Sequence, residues 1–332
     1  LNILEFQTNY LKLKLLIMIK LISISILSVF MCVSFLGNSQ SFKKINYSNQ
    51  EIDNSVASFI GPPQIQAKSF KVFQIDVESI KLELQGVAKE NDLENGFQAQ
   101  IQFPHPDGTF HVYNTVEYEM MEPALAAKFP NIKTFNAKSA DGKETIKWDI
   151  TDQGLHVMIM KDGASTIFID PLVSGNKDYY IVYNKSDFIT SKSKECGFNS
   201  EIEGLTNMKS PTSGIVKSFG TCELRTYRLA LAATGEYSQF HGGTVALAQS
   251  AQVTTMNRVN GVFEKDMAIR MIIVGNNNLI IYTNAGSDPY TNGTPGTMIN
   301  QNQTNVDGLI GSGNYDIGHV LELIQVDLQD WV

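Results

Sequence analysis

Short alternating runs of apolar and polar residues fill the chain from residue 69 to about residue 190, with Gly, Pro or Asp between them. Alternation with a period of two residues is typical of a strand that buries one face. These runs predict strands at residues 69–77, 80–87, 96–104, 108–120, 144–150, 154–160 and 165–171. Together with a polar lead from residue 41, they predict an antiparallel β-rich domain over residues 41–190.

A short helix and a linker complete this part of the chain. The helix is predicted at residues 122–130, and Pro130 ends it because the residue before a proline avoids the helical conformation. Residues 191–218 are polar and contain Gly, Ser and Pro, which is typical of a linker. The linker separates the β-rich domain from a C-terminal segment with a different pattern.

Helical spacing appears after the linker. An apolar strand at residues 227–234 precedes a helix whose apolar face consists of Val245, Ala248, Gln252, Met256, Val259 and Phe263. A strand, an Asn-rich turn and a second apolar run are predicted at residues 267–282, a helix ending at Gly308 or Gly311, and a strand at residues 315–320. This order predicts an α/β segment with some parallel pairing, so the whole chain is assigned to the α+β class.

The N-terminus carries an apolar, uncharged run after Lys20, followed by small polar residues. A helix over this run is about 25 Å long and the hydrocarbon core is about 30 Å thick, so the layout predicts a secretory signal peptide at residues 18–40. A membrane anchor is the alternative interpretation. Residues 1–17 precede this signal and are interpreted as untranslated upstream sequence. The protein is therefore expected to be secreted, without a stable membrane anchor.

Charge and size narrow the function classes. The formal net charge of −8 argues against a nucleic-acid-binding protein, which needs a basic face. The 332 residues, 43% of them hydrophobic, suffice for one large or two ordinary domains.

Three stretches carry a family resemblance: residues 227–271, the Asp-Pro-Tyr-Thr-Asn-Gly run at 288–293, and Asn-Tyr-Asp-Ile-Gly-His-Val at 314–320. With them, residues 219–320 resemble the N-terminal half of the catalytic domain of bacterial reprolysin-like zinc metallopeptidases, which are secreted metzincins. Residues 104–159 are similar to the propeptides of the same family. The resemblance implies a precursor with a β-rich propeptide, a mixed twisted sheet in the catalytic part, zinc-activated water as the nucleophile, and protein or peptide substrates.

The zinc-binding motif of that family is missing from this sequence. The motif is His-Glu-x-x-His-x-x-Gly-x-x-His, in which two histidines four residues apart share one face of a helix. None of the five histidines here is followed by Glu, and no two are four residues apart. The chain is therefore predicted to hold no catalytic residues and no complete zinc site, and to be an inactive, truncated fragment.

The last twelve residues, 321–332, contain no glycine, unlike the segment before them. One nucleotide inserted after the codon of Val320 permits a glycine-rich continuation of the kind the family has there. Residues 321–332 are therefore interpreted as a frameshifted tail, and a genuine C-terminus is the alternative.

Cys196 is the one candidate metal ligand that the resemblance suggests. It stands in a Cys-Gly pair late in the predicted propeptide, similar to the cysteine switch that places a thiolate on the zinc of a latent metzincin. The alternatives are a disulfide with Cys222, which an oxidising compartment permits, or a free thiol.

Four other side chains are of types that can bind metal ions. Glu236 and Asp288 lie near turns and are candidate calcium ligands, although solvated or turn-capping roles are favoured. His241 is predicted to cap or form a turn, and His319 to lie in a strand.

A second functional hypothesis stays open beside the peptidase. The β-rich domain would serve as an adhesion or inhibitor module of a non-catalytic secreted binding protein. That hypothesis predicts no zinc motif in any frame of the downstream nucleotide sequence.

Overall fold

The computed structural model describes residues 42–45, 65–189 and 223–323. The predicted signal peptide, the linker at residues 191–218, and both Cys196 and Cys222 lie outside these ranges. We refer to residues 42–45 and 65–189 as the β-rich region and to residues 223–323 as the α/β region.

Among the described residues, an antiparallel sheet of nine strands dominates the β-rich region. The strands are β1 (Phe42–Ile45), β2 (Phe70–Ile75), β3 (Ala99–Pro104), β4 (Phe110–Glu117), β5 (Lys133–Ser139), β6 (Glu144–Thr151), β7 (Gly154–Lys161), β8 (Ile167–Pro171) and β9 (Tyr179–Asn184). Their order in the sheet is β1-β2-β9-β8-β7-β6-β5-β4-β3, so β3 to β9 form a continuous meander. The predicted antiparallel architecture is confirmed, as is a short helix, α2 (Pro123–Ala126).

The strand predicted at residues 80–87 is wrong, because a helix, α1 (Val77–Glu83), occupies the first half of this run. Asp76 caps the helix by accepting a hydrogen bond from the backbone N–H of Ser79 at 3.1 Å. Ile80 and Leu84 are both buried, at the four-residue spacing of one helical face. The alternation of apolar and polar residues in this short run fits a strand as well as a helix turn, and the Asp76 cap decides between them.

The sheet curls around a core that is centred on Trp148 of β6. The indole stacks on Phe135 with ring centroids 4.2 Å apart and meets Phe103 edge-on at 5.2 Å. Phe73 of β2 also meets Phe110 of β4 edge-on at 5.6 Å, although five strands separate β2 from β4 in the sheet. Such a contact requires strong curvature, which brings distant strands to one interior.

The α/β region alternates strands and helices as predicted. Its elements are β10 (Arg225–Ala233), α3 (Gly235–Phe240), α4 (Val245–Met267), β11 (Ile269–Ile273), α5 (Pro295–Leu309) and β12 (Ile317–Leu321). β10 lies between β11 and β12 and pairs with both in parallel, which confirms the predicted parallel pairing.

Helices cover both faces of β10. Leu229 and Leu231 pack in a cluster with Val253 and Met256 of α4. Ala230 and Ala232 point to the other face, in a cluster with Met298 and Val306 of α5. The alternation along one strand thus supplies two cores, as in other α/β layers. In the part of the chain that the structure describes, no helix combines the length and apolar character needed to cross a bilayer.

Candidate functional site

The β-rich region and the α/β region meet at α4. Asp149 of β6 is buried and accepts hydrogen bonds from Thr254 Oγ1 at 2.7 Å and from Asn257 Nδ2 at 3.1 Å. His156 Nδ1 of β7 lies 3.2 Å from the same carboxylate. The carboxylate therefore has partners on both sides of the interface, and these fix how α4 lies on the sheet.

Ion pairs extend this interface. Lys147 Nζ lies 2.7 Å from Glu264 of α4, and Arg270 lies 2.6 Å from both Glu264 and Glu90. Burial lowers the pKa of Lys147 to about 8. Burial makes the charged form of this lysine less favourable, and the carboxylate of Glu264 stabilises it.

Arg258 and Asp170 form another ion pair between α4 and β8. The side chain of Asp170 is 5% exposed. Tyr183 donates a second hydrogen bond to it at 3.1 Å. The Arg258 guanidinium also lies 4.8 Å from the centre of the Phe168 ring. The interface is thus polar at its centre, with charges that are compensated in pairs.

The β-rich region also extends the sheet of the α/β region. Ile273 of β11 donates its N–H to Met120 O at 2.8 Å, and Glu122 donates its N–H to Ile273 O at 2.9 Å. The Glu122 carboxylate then accepts from the N–H of Gly275 at 2.7 Å. Residues 120–122 therefore cover the edge of β11 that would otherwise present unpaired backbone groups.

The two candidate calcium ligands lie near the end of β10, Glu236 in α3 and Asp288 in the loop before α5. Asp288 accepts hydrogen bonds from the N–H of Gly235 at 2.7 Å and of Tyr290 at 3.0 Å, which is the turn-capping role favoured from the sequence. One carboxylate oxygen of Glu236 is buried and has no hydrogen-bond partner among the described residues. Neither acid belongs to a cluster of three potential metal ligands in the described ranges.

The two histidines of the α/β region do not form a metal site. His241 caps the C-terminus of α3, and its ring packs 4.5 Å from Tyr237 and 4.9 Å from Phe240. His319 lies in β12, where burial lowers its pKa. Neither joins a cluster of three possible metal ligands in the part of the chain that is described. Both positions agree with the roles predicted from the sequence.

The replacement His241→Gln is expected to remove a pH-dependent part of the stability. Burial, and then the charge of His156, lower the pKa of His241 from 6.5 to about 4. The folded chain therefore favours the neutral ring, and this contribution is complete above pH 6.5 and lost as the pH falls from 6.5 to 4. A shift of this size corresponds to about 3 kcal/mol.

Urea unfolding of both proteins across this pH range checks the prediction. The wild-type chain should lose about 3 kcal/mol relative to the variant between neutral pH and pH 4. A difference between the two proteins that stays constant with pH would contradict it.

A cluster that the sequence analysis missed lies in the β-rich region. Ligand atoms of His105, His111 and Glu144 all lie within 4.8 Å of one another. His105 and Glu144 are buried, whereas the side chain of His111 is 42% exposed. His105 and His111 stand on either side of the Pro-Asp-Gly turn between β3 and β4. Two histidines so close across a turn were the signal in the sequence that could have indicated this cluster.

Hydrogen bonds connect this cluster. His105 Nε2 lies 2.7 Å from the hydroxyl of Tyr113, which donates to Glu144 Oε2 at 2.7 Å, and His111 Nδ1 lies 3.3 Å from the same oxygen. Burial opposes the ionisation of Glu144, but hydrogen bonds from Tyr113, His111 and Lys161 outweigh it and keep the pKa below its usual value. Glu144 is therefore an ionised carboxylate beside two imidazoles.

Residues 223–329 match the family model described as metallo-peptidase family M12B, reprolysin-like. No curated protein matches the chain. The matched range contains the whole α/β region and continues into residues 321–332, for which a shifted reading frame is predicted. The α/β region is thus a metallopeptidase-like domain, and the β-rich region lies outside the match.

The family implies a zinc ion, which needs several protein ligands around one point. In residues 223–323 the donors near the turn after β10 are a capping histidine and two separate acids, and none of them reaches a third ligand. The described residues of the matched range therefore do not fit a zinc site.

Proposed function

We propose that this chain is a precursor-type member of the secreted zinc metalloendopeptidases. The β-rich region would be its propeptide, and the α/β region the N-terminal part of its peptidase domain. The observation that carries the proposal is the reprolysin-like match of residues 223–329, which covers the parallel order β11-β10-β12 with α4. Its substrates would be proteins or peptides, and the 18–40 segment would direct its export.

The propeptide role of the β-rich region is supported by the interface with α4. A propeptide has to hold its partner tightly before maturation and yet be separable from it afterwards. Buried ion pairs such as Arg258–Asp170 suit both needs, because they favour one docking geometry and can be hydrated again after separation. The backbone contacts of residues 120–122 with β11 add a second attachment.

We do not propose that residues 1–332 by themselves hydrolyse peptides. In the family, bound zinc polarises the scissile carbonyl and activates a water molecule. The printed sequence contains no His-Glu pair and no two histidines four residues apart. The helix that carries the zinc ligands of the family is therefore not among these residues.

A cut in the predicted linker tests the proposal. A recognition site for a specific protease is placed within residues 191–218 of a chain without residues 1–40, and the protein is cut and passed over a sizing column. The two fragments are expected to elute together, because the α4 interface holds them without a covalent link. Neither the uncut nor the cut protein should cleave casein in the presence of zinc, whereas an active zinc endopeptidase does so in parallel.

Two results would contradict this prediction separately. Fragments that elute apart at low salt would remove the propeptide role of the β-rich region. Casein cleavage that a chelator abolishes would show that the printed residues contain a working metal site.

A further inference from the structure

We propose that His105, His111 and Glu144 form a binding site for a divalent transition-metal ion of the zinc type. The site lies in the β-rich region, outside the reprolysin-like match, and does not depend on the peptidase assignment. It offers two imidazole nitrogens and one carboxylate oxygen, the donor types that Zn²⁺ prefers in proteins.

The sheet brings these three residues to one end. His105 follows β3, and His111 stands in β4, two residues before the pairing of β4 with β5 begins at Tyr113 and Ser139. Glu144 is the first residue of β6. Because β5 ends at Ser139, the carboxylate at the start of β6 can reach the histidines of the hairpin.

The ligand atoms are near one another, but one ring has to turn before they can share an ion. The imidazole rings of His105 and His111 now lie with centroids 3.8 Å apart, closer than the roughly 5 Å between two rings on one tetrahedral zinc. Ligands at about 2.1 Å from a tetrahedral zinc are roughly 3.4 Å from one another. The ligand atoms lie within 4.8 Å, so they must close by about 1.4 Å at most. The half-exposed ring of His111 has the freedom to supply this movement and opens the site to solvent.

Hydrogen bonds now engage the atoms that would ligate the ion. His111 Nδ1 and the Tyr113 hydroxyl share Glu144 Oε2, at 3.3 Å and 2.7 Å. Metal binding would displace the imidazole protons, while the Tyr113 hydroxyl would remain as a donor that orients the carboxylate. The same contacts also satisfy Glu144 without any ion, so the experiment must separate these two states.

Lys161 gives a way to separate them. Its ammonium lies 3.3 Å from Glu144 Oε1, and its side chain is 50% exposed. A cation bound to Glu144 would be repelled by this charge, and the exposed lysine would have to turn away. Removing the ammonium should therefore tighten metal binding, whereas a purely proton-bridged cluster would gain no affinity for metal.

The test uses the chain without residues 1–40, freed of metal with a chelator, and titrated with Zn²⁺ by calorimetry and with Co²⁺ by visible absorption. We expect one ion per chain, with a visible Co²⁺ band and a higher Tm on Zn²⁺ binding. The variants His111→Ala and Glu144→Gln should each weaken binding by about tenfold or more. Lys161→Met should strengthen it severalfold, and His241→Gln, in the other region, should leave it unchanged.

The exposed position of His111 lets one variant report on metal binding without disturbing the fold. Because His111 is half-exposed, His111→Ala is expected to keep the circular dichroism and metal-free Tm of the wild type. Absence of saturable zinc binding at micromolar concentrations would overturn the proposal. Binding that His111→Ala and Glu144→Gln leave intact would overturn it as well.

Discussion

The replacement Asp170→Ala is expected to lower the free energy of unfolding by about 3–5 kcal/mol, because it leaves a largely buried guanidinium without its partner. Asp170 is 5% exposed and pairs with Arg258, whose side chain is 22% exposed. Tyr183 would lose its acceptor at the same time. Urea unfolding near neutral pH measures the change.

Asp162→Ala is the matched control for this prediction. Asp162 also pairs across the interface with a residue of α4, Lys265 at 2.6 Å, but its side chain is 89% exposed. Exposed pairs contribute about 0–1 kcal/mol, so the control should change little. The double variant Asp170→Leu with Arg258→Met should recover most of the loss, since it removes both charges. Equal effects of Asp170→Ala and Asp162→Ala would contradict the assignment of a buried pair.

The replacement Gly235→Ala is expected to cost about 3 kcal/mol or more, or to prevent folding, because overpacking against backbone cannot be relieved by a rotamer change. A Cβ atom at this position would lie 2.1 Å from Ala285 N and 2.3 Å from Asn284 C. Gly235 begins α3 and is buried, and the Asp288 carboxylate holds its N–H. Thermal and urea unfolding of the purified variant measure the effect.

Gly308→Ala serves as the control with the opposite sign. Gly308 lies inside α5, is exposed, and has no atom within 4 Å of an added Cβ. Alanine is a better helix former than glycine, so this variant should be more stable by about 0.5–1 kcal/mol. A well-folded Gly235→Ala protein with unchanged stability would show that the loop at residues 284–285 can move away.

Long periodic segments were the predictable part of the fold. α4 has the predicted face: Ala248, Gln252 and Met256 are buried, and Val259 and Phe263 pack against the core. Short segments were less certain, because few residues define their period. Residues 80–87 were assigned to the wrong element for this reason, and β9 was missed because its run of residues 180–183 is buried on both faces.

The polar interface could not be predicted from the sequence. In residues 144–150 the alternation places Lys147 and Asp149 among the polar positions, which suggests a solvent-facing side. The structure buries both under α4, a helix about a hundred residues later in the chain. Their partners are fixed by tertiary packing, which no local pattern encodes.

The peptidase segment could be predicted from the sequence, whereas the complete histidine and glutamate cluster could not. The resemblance placed a metallopeptidase segment at residues 219–320, and the family match spans residues 223–329. The proximity of Glu144 to His105 and His111 depends on the order of strands in a curled sheet, so sequence spacing did not reveal it. Cys196 lies outside the described residues, and its role as an inhibitory ligand stays a prediction.

The charged centre of the α4 interface has a consequence during synthesis of the chain. The β-rich region leaves the ribosome first, and its docking face then carries Lys147, Asp149 and Asp170 before α4 exists. Water can hydrate such a face, whereas an equally large aliphatic face would attract other nascent chains. The newly made β-rich region is therefore expected to aggregate less before α4 is made than a region with an aliphatic docking face.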